Sequence, residues 1–67
     1  MSNTFATRLT QIRQHSGLTK SELARLSGLS RRYCIMLEQG KSEPTTATLR
    51  ALAKALGVSA SDLLRGE

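Results

Sequence analysis

The sequence predicts an all-α fold: five short helices joined by tight turns in one compact domain. Three observations carry this. Apolar residues recur at helical spacing, as in Phe5, Leu9, Ile12 and in Leu49, Leu52, Ala53, Leu56. A helix-opening pattern returns three times: an apolar residue, then Thr or Ser, then a second apolar residue four positions on. Glycines follow the helical segments, and no stretch alternates in the manner of a strand.

The first helix is expected from about Thr4 to Ser16. Gly17 suits the left-handed residue after a helix, and Arg13 and His15 suit its negative C-terminal end. The second opens with a capping box, Thr19 at N-cap and Glu22 at N3, stapled by Leu18 and Leu23. It ends near Ser27, before Gly28. Ser30 caps the third, which runs to Glu38 or Gln39 and stops at Gly40. Lys41 to Pro44 reads as a loop, since proline disfavours a helical residue before it. Thr45 or Thr46 caps the fourth helix, and Gly57 ends it. The fifth repeats the capping box with Ser59, Asp62 and a Val58–Leu63 staple, ending near Arg65. The expected apolar faces comprise Phe5, Leu9, Ile12, Leu23, Leu26, Leu29, Cys34, Leu37, Leu49, Leu52, Leu56, Val58, Leu63 and Leu64.

Size and charge narrow the function. A chain of 67 residues is expected to be a single domain, residues 1–67. It buries only roughly 60% of its unfolded surface, so a partner or a second copy is a natural source of stability. No apolar run approaches the roughly 20 residues of a membrane span, and Met1 to Thr4 lack the pattern of a secretory leader; the expected location is cytoplasmic. The single cysteine, Cys34, cannot form an internal disulfide, and with one histidine it cannot complete a tetrahedral zinc site; no metal or cofactor is expected. The net charge is +5 and the isoelectric point about 10.4, a balance that fits a nucleic-acid partner. Two aromatics, Phe5 and Tyr33, are too few for base-stacking recognition of single strands.

Two helices separated by only Ser27-Gly28-Leu29 must cross steeply. Ala24 and Gly28 provide the small residue and the turn, and Cys34 and Leu37 face back to the first helix. This is the spacing of a DNA-binding helix-turn-helix. Gly-Leu-Thr-Lys-Ser-Glu-Leu-Ala (17–24), Gly-Leu-Ser (28–30), Leu-Glu-Gln-Gly-Lys-Ser-Glu-Pro (37–44) and the Leu-x2-Leu-Ala-x-Ala-Leu-Gly-Val-Ser run (49–59) appear in order. On these motifs the chain resembles the phage Cro and repressor (Cro/C1, xenobiotic response element type) family of helix-turn-helix regulators, over roughly residues 5–65. The resemblance implies a lambda-repressor-like five-helix domain with a central helix-turn-helix. It also implies that the helix from Ser30 to Gln39 enters the major groove.

Carried over position by position, the resemblance implies base reading by Arg31, Arg32 and Met36, with Tyr33 and Ile35 close by. Backbone contacts would come from Lys20, where the family usually has glutamine, and from Gln39, Lys41 and Ser42 after the helix. Cys34 stands where isoleucine or valine is usual. Ile35 and Met36 are apolar where polar residues are common; they could meet thymine methyls or simply be partly exposed. The resemblance also implies that Arg13 pairs with Glu38 beneath the surface, as scaffold rather than readout.

Each candidate has a plainer reading. Arginines on a solvated helix face are common, but Arg31 and Arg32 fall at the first two helical positions, where a cation costs roughly 0.3–1 kcal/mol, and a guanidinium fork matches guanine O6 and N7 or a phosphate. Lys20 meets the same dipole. Lys41 could be an ordinary loop lysine, Arg8 a backbone contact or a solvated cation, and Tyr33 either a phosphate contact or a packed ring. Cys34 and His15 do not suggest an enzyme, because Cys34 lies on the core face. The expected function is sequence-specific binding of double-stranded DNA at a roughly palindromic operator, by a homodimeric transcriptional regulator. Leu63 and Leu64 cannot face one core together, so one of them, with Val58 or Ala60, is a candidate dimer contact. The alternative is the DNA-binding antitoxin of a toxin–antitoxin pair, with a protein partner as well, which exposed Ile35 and Met36 would favour.

Overall fold

A computed structural model describes residues 4–64. Five helices follow in chain order: α1 Thr4–His15, α2 Lys20–Ser27, α3 Arg31–Glu38, α4 Thr46–Leu56 and α5 Ala60–Leu64. The expected end of the last helix at Arg65 lies outside the described residues.

Local chemistry opens four of the helices. Thr19 Oγ1 accepts from the Glu22 amide at 3.1 Å, and the Glu22 carboxylate accepts from the Thr19 amide at 2.8 Å. The box is thus reciprocal and satisfies two donors that a helix start leaves orphaned. It also holds the Glu22 carboxyl below its ordinary pKa, chiefly through the Thr19 amide and hydroxyl, with Arg25 adding to them against a small desolvation. Ser30 Oγ accepts from the Tyr33 amide. Of the two threonines before α4, Thr45 is the cap, accepting from the Thr48 amide. Ser59 and Asp62 form the second reciprocal box.

Each helix sends one leucine to zero exposure: Leu9, Leu23, Leu37, Leu52 and Leu63, joined by Cys34. Burying a leucine side chain is worth about 1.5–3 kcal/mol, so the core is shared by all five elements rather than owned by one pair. Helix α2 packs on α3 and α4, α1 on α3 and α5, and α4 on α5. Phe5, Ile12, Leu29, Leu49 and Val58 close over this core as partly buried residues.

Leu26, expected on the core side, is 49% exposed, and of the adjacent pair that cannot share one core Leu64 is the one turned out, at 57% exposed. Helix α2 has only two turns, and its buried residues are Leu23 and Ala24; at about 100° per residue, Leu26 falls on the far side of Leu23 from that stripe. Leu64 follows the buried Leu63 and is turned away by the same rotation. The sequence reading also left out Ala6 and Thr48, both buried.

Candidate nucleic-acid interface

The turn between α2 and α3 is built on one carbonyl. The Gly28 amide and the Leu29 amide both donate to Ala24 O. Gly28 has φ +74°, a left-handed conformation that costs an L-residue with a Cβ roughly 1–2 kcal/mol. The chain then leaves α2 at once and enters α3 through Ser30, so α3 is held against α2 across three linking residues, Gly28 to Ser30.

Helix α3 has two faces. Inward, Cys34 and Leu37 are fully buried. Burial pushes the Cys34 thiol above its ordinary pKa; a hydrogen bond with Ser27 opposes this and the Glu38 charge adds to it. The last inward residue is Glu38. Arg13 Nε donates to Glu38 Oε2 at 2.6 Å and Arg13 Nη2 donates to Glu38 Oε1 at 3.1 Å. The side chains of this pair are only 9% and 5% exposed. Thr10 Oγ1 also donates to Glu38 Oε1, and Arg13 Nη1 donates to Leu18 O. One guanidinium therefore joins α1, the entrance of α2 and the end of α3. No buried side-chain nitrogen or oxygen among the described residues lacks a partner.

Outward, Arg31 and Arg32 are exposed, Ile35 and Met36 half-buried, and Gln39 exposed. Spacings of three and four residues place these five on one stripe. The first turn of α3 contains no acidic residue. Neither arginine side chain has an ion pair or hydrogen bond among the described residues. The same holds for Lys20, half-buried at the first position of α2, and for Lys41, exposed just past α3. Lys41 is held by its backbone, its amide donating to Met36 O at 2.9 Å. Ser42 follows, half-buried.

Two other residues are committed to the protein itself. Arg8 Nε donates to Asp62 O at 2.9 Å, fastening α1 to α5. The Tyr33 hydroxyl lies 3.3 Å from Glu43 O and 3.4 Å from Thr48 Oγ1, and its ring packs against the core. Sequence reasoning did not foresee Thr10 as a third member of the ion pair, although it lies three residues before Arg13 on the same face. It did not foresee the Tyr33–Thr48 contact either; no spacing rule links a helix residue to the first turn of another helix fifteen positions on.

No group of histidine, cysteine, aspartate and glutamate able to hold a metal occurs among the described residues, and no described helix is long and apolar enough to cross a membrane.

Comparison with known proteins agrees with this geometry. Residues 9–63 match the family described as helix-turn-helix. The chain is 44% identical over 54 residues to an HTH-type transcriptional regulator, y4dJ, of Sinorhizobium fredii, covering 81% of this chain and 70% of that one. It is 36% identical over 64 residues to the immunity repressor protein of Bacillus phage phi105, covering 96% of this chain but only 44% of the repressor. Among solved structures, the restriction-modification controller protein C.AhdI from Aeromonas hydrophila superimposes with a TM-score of 0.88 at 35% identity, over 90% of this chain and 91% of that one.

Proposed function

The chain belongs to the Cro/C1-type helix-turn-helix family of DNA-binding transcriptional regulators, not to a family of enzymes, and from that premise we propose that it reads a roughly palindromic operator as a homodimer, with α3 in the major groove. Residues 1–67 act as a single DNA-binding domain. Arg31, Arg32 and Met36 read base edges. Lys20, Gln39, Lys41 and Ser42 hold phosphates, and Ile35 and Tyr33 flank the readout.

One observation carries this reading. Two arginines sit without a partner among the described residues at the N-terminus of a helix whose other face is locked by a buried ion pair. The helix dipole disfavours them there by roughly 0.3–1 kcal/mol each, and among the described residues no ion pair or hydrogen bond compensates. A phosphate or a guanine edge supplies what is missing, and the guanidinium fork suits both. The half-buried side chains of Ile35 and Met36 lie on the same stripe and can meet thymine methyls.

A second copy has a surface to use. Leu64 is exposed beside buried Leu63, with half-buried Val58 and Ala60 in the same segment. Two-fold pairing there sets half-sites about 10 bp apart.

Selection of bound duplexes from a random library, followed by affinity against salt, tests the reading. It predicts a palindromic consensus and a log–log salt slope of several units, from counterions released at the phosphates. Weak binding without a consensus would contradict it.

A further inference from the structure

Tyr33 stands on the readout helix, yet its hydroxyl is turned onto the protein. It meets Glu43 O in the loop after α3 and Thr48 Oγ1 in the first turn of α4. Thr48 is buried, being 7% exposed, and Thr45 Oγ1 donates to it at 3.0 Å. Thr45 in turn accepts from the Thr48 amide at 3.1 Å.

The protons balance in one direction only. A hydroxyl has a single hydrogen to give. Thr45 gives its hydrogen to Thr48 Oγ1, so the Thr48 hydrogen goes to Tyr33 Oη, and the Tyr33 hydrogen goes to Glu43 O. Every hydroxyl in this chain donates once and accepts once. Such chains polarise in concert, so each bond strengthens its neighbours. The tyrosine's proton is spent on the Glu43 carbonyl, and a phosphate oxygen would need that same proton.

We infer that Tyr33 is a positioning residue, not a phosphate contact: its hydroxyl fixes the loop carrying Lys41 and Ser42 to both α3 and the cap of α4. This inference rests on the reading of that loop as a phosphate-binding segment. The consequence is preorganisation. Loop and readout helix meet DNA as one rigid unit, and little ordering of the loop is left to do on binding. The backbone ties between the segment after α3 and that helix, the Gly40 amide on Leu37 O and the Lys41 amide on Met36 O, lie at the loop's start, whereas the Tyr33 bond holds its far end at Glu43.

The test uses the full chain with Tyr33→Phe, which keeps the ring, Thr48→Val, which keeps the shape, and the double variant. In the free protein, the Lys41 and Thr48 amides should exchange with solvent faster in both single variants, while amides in the middle of α1 keep their rate. On the selected duplex each single variant should bind about 3- to 10-fold more weakly, the loss expected of one hydrogen bond. The double variant should be no weaker than the weaker single, because all three cut the same chain. Weaker binding by Tyr33→Phe with Thr48→Val and loop exchange unchanged would overturn the inference in favour of a direct phosphate contact. Unchanged binding and exchange in Tyr33→Phe would overturn it outright. Failure of the unmodified chain to bind any duplex would instead sink the reading of function, and exchange in the free protein would still decide whether Tyr33 holds the loop.

Discussion

The inner and outer faces of α3 treat their charges differently. On the inner face, Glu38 is nearly sealed from water, and Arg13 and Thr10 fill its oxygens. On the outer face, Arg31 and Arg32 are open to water, without a partner among the described residues, and at the helix end that disfavours them. The first arrangement is complete within the protein. The second leaves two cations unanswered among the described residues, and the proposed DNA contact would answer them. One eight-residue helix is thus scaffold on one face and, in the proposed reading, binding surface on the other, and the difference is visible in which charges are answered.

This contrast can be broken from the inside with the largest effect. Arg13→Met leaves Glu38 buried and unpaired, and about 3–5 kcal/mol of stability should disappear, most of what a domain this size has. Urea unfolding measures it. Replacing both partners together, Arg13→Met with Glu38→Leu, should recover most of the loss, since an apolar pair of similar volume is often neutral. A double variant as unstable as the single would show that the pair contributes more than charge satisfaction.

The cap beneath the outer face comes next. Ser30→Ala removes the acceptor of the Tyr33 amide and should cost about 1 kcal/mol in the same unfolding assay. The effect sharpens the comparison because Ser30 stands directly before the arginines yet acts on stability. Lys41→Ala should do the reverse. It should leave unfolding within about 0.5 kcal/mol of the parent, weaken binding to all duplexes by a common factor and lower the salt slope by about one unit.

The smallest effect is one of pH. Glu22 has its pKa lowered in the folded state by the Thr19 cap. Its contribution is therefore present above the ordinary carboxyl value and fades as pH falls through the lowered one. Glu22→Gln should flatten the acid limb of a stability–pH curve slightly, and an unchanged curve would show that the box is not formed in solution. Cys34 offers a parallel probe of the inner face: its burial and raised pKa predict slow alkylation at neutral pH, rising to the rate of a free thiol when the chain is unfolded.

Most of the fold was legible because its punctuation is local. Thr19 with Glu22, Ser30, and Ser59 with Asp62 declare helix starts within four residues, and the glycines declare the ends. Leu26 was misplaced for a different reason: in a helix of eight residues the spacing does not fix where the buried stripe is centred, and it is centred on Leu23 and Ala24. The residues of the outward stripe, Arg31, Arg32, Ile35, Met36 and Gln39, were named through the family resemblance, and the inward placement of Cys34 and Leu37 agrees with it. The hydroxyl chain from Thr45 through Thr48 to Tyr33 and Glu43 was not, because it depends on the path of the loop after α3, which no pattern in residues 40–45 encodes.

The most direct measurement pairs binding with stability in one variant, Arg31→Ala with Arg32→Ala. Both arginines oppose the helix dipole, so the unfolding midpoint should hold or rise. Binding to the selected duplex should fall by about 1–3 kcal/mol for each base-reading arginine removed, and the preference over random duplex should collapse. Unchanged affinity and preference, at unchanged stability, would contradict the assignment of α3's outer face as the surface that reads DNA.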